Sequence, residues 1–199
     1  MASLRNLPIK VLMVLISLFA FNQALAQVDT LAQAEITRID PVIVEGQLSM
    51  DINFNLRLNA AMIQGVERGV PLYFTVDLEI VSPRWWWFDK AIITTSLTRR
   101  LTYNTLTQQW RVASGDLSLP VESLATGLKM LSEVRAWPIA PTDRFEPNVR
   151  YEGRLRLRLD TTHLVRSLQL DAMNRGVWSL SSVWAPFDFS IRRPDEKKP

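Results

Sequence analysis

The strongest pattern in this chain is alternation. Leu48, Met50, Ile52, Phe54, Leu56 and Leu58 alternate without a break against Ser49, Asp51, Asn53, Asn55 and Arg57. Leu72, Phe74, Val76, Leu78 and Ile80 do the same against Tyr73, Thr75, Asp77 and Glu79. Further on, Val149, Tyr151, Leu155, Leu157 and Leu159 alternate against Arg150, Glu152, Arg154, Arg156 and Arg158. A period of two puts successive side chains on opposite faces of a strand, so each run predicts a strand with one face in a core and one in water. An extended run from Ile92 to Tyr103 turns through Asn104 to Thr107 into Gln108 to Val112. With the strand before it, this makes Gly69 to Ala113 the central antiparallel unit.

Weaker signals fill in the rest. Ala34 to Asp40 and Val42 to Glu45 predict an opening strand broken or bulged at Pro41, followed by a turn at Gly46. Asn59 is placed to cap a short helix that ends near Gly69, and Val121, Leu124, Leu128, Leu131 and Val134 form one helical stripe over Val121 to Val134. Trp137 to Pro141 and Phe145 to Pro147 read as proline-broken connectors, poor at sheet pairing. Gly153 marks a bulge or a close backbone approach, Leu164 to Met173 a short helix or an irregular crossing, and Phe187 to Ile191 a closing strand. Trp178, Leu180 and Trp184 add late core residues. About seven strands at hairpin spacing, with two short helices inserted, predict a single all-β domain: an antiparallel sandwich or a flattened open barrel.

Composition changes this picture at the ends of the chain. Arg5 and Lys10, the apolar run Val11 to Phe21, and Ala24-Leu25-Ala26 have the form of a secretory signal peptide cut after Ala26. The apolar run is shorter than the roughly 20 residues that span a bilayer; an uncleaved membrane anchor is the alternative. Residues 27–193 are then the folded domain and 194–199 a charged tail. Cleavage lowers the formal net charge of +3 by the charges of Arg5 and Lys10, so the basic pI of 9.5 is a weak argument for nucleic acid. The chain has no cysteine, which rules out disulfides and thiol chemistry.

The candidate chemistry is sparse. His163 is the only histidine, with Asp160 and Ser167 near it but no nucleophile turn or oxyanion signature. One histidine without cysteine predicts no transition-metal site, and no cofactor motif is present. Asp51, Asp77 and Glu79 are the carboxylates that would pair in a hydrolase if one sheet face carried them, although strand acids in water are ordinary. Arg150, Arg154, Arg156 and Arg158 form an arginine ladder on one strand face, suited to anionic lipid headgroups or an acidic partner unless neighbouring acids relieve it. Trp85, Trp86, Trp87 and Phe88 are either a plug at the end of the sheets or an exposed anchor for a partner or a membrane.

Pro71-Leu72-Tyr73-Phe74, the run Trp85 to Asp89, Tyr103-Asn104 with Gln109-Trp110, and Leu155 to Asp160 followed by Trp178-Ser179-Leu180 resemble a proteobacterial family of small exported proteins, domain of unknown function 4390. The resemblance implies an envelope location and genes often sited beside a membrane sensor histidine kinase. It brings no activity, cofactor or catalytic residue. The expectation is therefore a non-enzymatic periplasmic or envelope protein that binds a protein partner, with a link to membrane signalling. The alternative is a carrier of a lipid or other apolar ligand between the sheets, and an enzyme ranks third.

Overall fold

The computed structural model describes residues 32–82 and 90–192. The segment read as a signal peptide, residues 1–26, the tryptophan run at 85–88 and the tail at 194–199 lie outside the described residues. The described residues form nine strands: β1 (Gln33–Val44), β2 (Gln47–Arg57), β3 (Leu72–Ser82), β4 (Lys90–Asn104), β5 (Gln109–Ser114), β6 (Leu117–Val121), β7 (Glu133–Pro141), β8 (Arg150–Leu159) and β9 (Ala185–Ser190). The described helices are α1 (Ala60–Glu67), α2 (Leu124–Ser132) and α3 (Arg166–Arg175). The strands pair antiparallel in two sheets, ordered β1-β2-β7 and β6-β5-β4-β3-β8-β9, with no closed barrel. The sandwich expectation holds.

Alternation produces the core as predicted. On β3, Leu72, Phe74, Val76, Leu78 and Ile80 are at most 4% exposed, and Leu155, Leu157 and Leu159 of β8 stand beside them. Leu48, Met50, Ile52 and Phe54 of β2 join the same cluster. Full burial of each such side chain is worth about 1.5–3 kcal/mol relative to exposure. Leu56 departs from the pattern and is only half-buried. Its partner Ala34 lies at the start of β1, and β7 pairs with β2 only as far as Asn53, so Leu56 runs past the end of the small sheet.

The prolines follow a rule that corrects the connector reading. Pro138 lies inside β7, opposite Ser49 of β2. Strand β7 tolerates it because it is an outer strand, where a missing N–H costs no ladder bond. The same holds for Pro41 in β1, Pro120 in β6 and Pro186 in β9. Each of the four outer strands thus carries a proline, and the inner strands β2, β3, β4, β5 and β8 carry none. The irregularity in β1 falls between Ile36 and Arg38, not at Pro41. In β7 a break in register coincides with Ala136 at φ 47°, and the Ala136 N–H donates to Asp51 Oδ1 at 2.7 Å.

The helices start where polar caps can hold them. Asn59 accepts from the Met62 N–H at 2.9 Å and opens α1. Ser123 accepts from the Thr126 N–H at 3.1 Å and opens α2 three residues later than the stripe predicts. Val121 and Val134, read as helical, belong to β6 and β7. Their apolar spacing continues the stripe because both strands point these residues inward too. Arg166–Arg175 forms a third short helix, where two were expected, ended by Gly176 at φ 69°.

One flank of the sandwich closes on itself. β1 approaches β8 and β9, and between them Phe145, Tyr151, Phe187 and Phe189 form an aromatic cluster. The Tyr151–Phe189 rings stack at 5.6 Å, and Phe145 meets both edge-on. Gly153 shows no bulge. A Cβ there would lie 2.3 Å from the Phe187 ring, so glycine is what lets the ring cover the strand backbone.

Candidate functional site

The outer face of the six-stranded sheet carries the arginine ladder, and register decides what each arginine meets. Arg154 lies opposite Glu79, Arg156 opposite Asp77 and Arg158 opposite Thr75. Arg154 Nη2 reaches Glu79 Oε2 at 2.7 Å. Arg156 Nε and Arg158 Nε both donate to Asp77 Oδ2, at 3.0 and 2.9 Å. On β9, Asp188 pairs with Arg150 at 3.1 Å. Hydrogen bonding to Asp77 raises the Arg158 guanidinium above its ordinary value; burial opposes this, and the charges of Asp77 and Asp160 add to it. The ladder is therefore a charge-matched array rather than an unbalanced cationic strip.

On the other side of β3, Ser96 and Thr94 of β4 stand opposite Asp77 and Glu79. Trp184, expected in the core, instead lies over the ladder, its ring 4.8 Å from the Arg154 guanidinium and 4.6 Å from that of Arg156. These residues other than Arg154, together with Arg158, bound an open groove of about 350 Å³. Asp51 does not join Asp77 and Glu79, because it sits on β2 in the other sheet.

His163 stacks on the Tyr73 ring at 4.2 Å, and its Nε2 lies 3.9 Å from Asp160 Oδ2. Burial alone would raise the Asp160 carboxyl. Hydrogen bonds from the Thr162 hydroxyl and N–H, with the charges of Arg158 and His163, outweigh it and hold the carboxyl below its ordinary value. Asp160 and its partners finish the end of β8. Among the described residues no hydrogen bond joins His163 to a serine, threonine or tyrosine hydroxyl, and no three or more histidines and carboxylates cluster as a metal site would require.

A second site opens on the flank opposite the aromatic cluster, where sequence reasoning placed nothing. Leu117 and Leu119 of β6 point inward beside Val112, but the small sheet does not reach them. Helix α2 packs on β5 and β6 at this part of the large sheet and ends at Ser132. Beyond it lies a cleft of about 230 Å³ between β6 and β7, lined by Val112, Leu117, Leu119 and Met130 and edged by Arg99, Glu133 and Arg135. Leu117 is 61% exposed, Leu119 39% and Met130 37%. The Leu117-x-Leu119-x-Val121 alternation was the signal that would have found the strand.

Arg99 holds the cleft's inner wall. It points inward from β4 opposite Phe74, and its Nη1 donates to the Met130 and Glu133 carbonyls at 3.0 and 2.7 Å. A cation at the C-terminal end of a helix meets the negative end of the helix dipole and satisfies carbonyls left open there. Burial lowers the Arg99 guanidinium from its ordinary value, and its Nε has no partner among the described residues.

Over residues 32–188 the chain matches the family model described as Domain of unknown function (DUF4390). It belongs to that family. No curated protein and no solved structure matches the chain. The family assignment covers nearly all the described residues, so both the outer groove and the edge cleft are parts of the family domain.

Proposed function

We propose that this member of the DUF4390 family is a non-enzymatic binding module of the cell envelope, exported by its N-terminal segment, that docks a protein partner through the cleft between β6 and β7. The observation that carries the reading is the exposed apolar floor of Leu117, Leu119 and Met130, edged by Arg99, Glu133 and Arg135. An apolar centre inside a charged rim is the anatomy of a protein interface. The prolines of the outer strands argue that the partner inserts side chains into the cleft rather than adding a strand. A membrane sensor kinase is the partner class that the family resemblance suggests. The carrier alternative needs room between the sheets, where Met50, Ile52, Leu78 and Leu155 are fully buried against one another in the core.

A photo-crosslinking residue at position 117 tests this in intact cells, with position 106 as control because Leu106 is 94% exposed and lies far from the cleft lining. A discrete adduct from 117, absent from 106 and lost when Met130→Asp is added, supports the reading. The same pattern from both positions, or none from 117, refutes it.

A further inference from the structure

The outer groove repeats one polar row. Ser96, Asp77 and Arg156 lie side by side across β4, β3 and β8, and Thr94, Glu79 and Arg154 form the next row. Neighbouring strands stand about 4.8 Å apart, and the rows about 6.8 Å apart along the strands. Each row runs hydroxyl, carboxylate, guanidinium. Trp184 stands at the guanidinium end of both. Asp77 and Glu79 hold Arg154, Arg156 and Arg158 through Nε, with one terminal nitrogen added on Arg154 and Arg158, and among the described residues no hydrogen bond occupies the Arg156 Nη atoms.

From this arrangement we infer that the groove binds a neutral saccharide. Charge decides against other polar ligands. Across the two rows and the end of β8, the carboxylates of Asp77, Glu79 and Asp160 are matched by the guanidiniums of Arg154, Arg156 and Arg158. A phosphate or sulfate would meet Asp77 and Glu79 as well as the arginines, and a cation would meet the arginines. An uncharged polyhydroxyl ligand meets neither penalty. It finds acceptors on β3, donors on β8, and hydroxyls on β4 that serve as either. The Trp184 indole, held over the Arg154 and Arg156 guanidiniums, supplies the one aromatic side chain of the lining among the described residues, and the apolar part of a sugar ring gains contact with the surface it leaves open to the groove. A groove of about 350 Å³ falls in the range of small-molecule sites. Both carboxylates already accept hydrogen bonds from guanidinium, an arrangement for holding hydroxyl groups rather than delivering a proton.

Isothermal titration of the purified protein with chitotetraose, cellotetraose and maltotetraose tests the inference, with a heparin tetrasaccharide as the anionic comparator. At least one neutral probe is expected to bind, with a Kd on the order of 0.1–1 mM that added salt leaves unchanged. Trp184→Ala should weaken that binding by about tenfold or more, a loss of about 1.4 kcal/mol. Thr94→Ala with Ser96→Ala alters only exposed side chains and should weaken it several-fold with the thermal midpoint unchanged. Leu117→Asp, at the cleft, should leave it intact, so this inference and the partner-docking reading fail independently. Three outcomes overturn it: no neutral probe binding at millimolar concentration, binding insensitive to both groove variants, or binding of heparin alone that salt abolishes.

Discussion

The two flanks of this sandwich solve the same geometric problem in opposite ways. A three-stranded sheet cannot cover a six-stranded one. On the flank where β1 approaches β8 and β9, aromatic rings fill the difference, and Phe145 and Tyr151 are almost fully buried. On the flank between β6 and β7, Arg99 ties the end of α2 to the large sheet, and apolar surface of Leu117, Leu119 and Met130 stays in water. Packing on the first flank contributes stability. Exposure on the second forgoes it, and a forgone burial at several adjacent residues is what a docking surface looks like.

This contrast predicts a sorting of substitutions. The largest loss should come from Phe145→Ala, which removes the ring that meets both Tyr151 and Phe189 edge-on. Truncating a buried phenylalanine costs about 3–5 kcal/mol, and chemical denaturation should show it as a lower midpoint at constant slope. A loss under about 1 kcal/mol would mean that the cluster relaxes and the closed flank is not tightly packed. Gly153→Ala should come next. Its Cβ would lie 2.3 Å from the Phe187 ring, closer than any real contact, so the ring or β9 must shift. Overpacking of this kind costs about 1–3 kcal/mol, and pairing Gly153→Ala with Phe187→Ala should recover part of the loss if the clash is its cause.

Asp160, at the end of β8, gives a smaller effect with a defined pH dependence. It accepts from the Thr162 N–H and hydroxyl at 3.1 and 2.6 Å and neighbours Arg158 at 3.6 Å. Asp160→Ala should cost about 1 kcal/mol, as for other capping acids. Its folded carboxyl lies below the ordinary value, so the native state binds its proton less readily than the unfolded chain. The stabilisation is then fully present above the unfolded value of about 3.9 and is lost as pH falls through the lowered folded value. Wild type and variant should differ in thermal midpoint at neutral pH and converge in strong acid. A difference independent of pH would show that the carboxylate charge plays no part.

How much of this the sequence revealed depends on where each strand sits. The inner strands β2, β3 and β8 alternate because one face is core, and their apolar positions were legible apart from Leu56, while Ser49 and Thr75, expected in water, are buried. The outer strands β6 and β7 were not, because Pro120 and Pro138 break the pattern that a reader relies on while costing an outer strand little. The shared face of Arg150, Arg154, Arg156 and Arg158 could be read from spacing alone. Their carboxylate partners could not, since Asp77 and Glu79 meet them only through the β3–β8 register, some 75 residues away in the chain. Trp184 reads as core by composition, and only the turn into β9 places it over charge. The expectations for Trp85 to Phe88 lie outside the described residues, whereas Arg99, which fixes α2 at the cleft, was hidden among the polar positions of a long strand.

The smallest effect on stability is the most informative about the open flank. Leu117→Asp places a charge on a residue that is 61% exposed, on an outer strand at the mouth of the cleft. Exposed substitutions away from the core usually change stability by no more than about 0.5 kcal/mol, and the carboxylate stays hydrated and within reach of solvent. The denaturation midpoint should therefore stay within error of wild type. Partner capture through the cleft should nonetheless be lost, because the aspartate must be stripped of water beside Val112 and Met130 when a partner closes over it. If the midpoint instead falls by several kcal/mol, Leu117 is packed in solution, and the asymmetry between the flanks is wrong at its decisive residue.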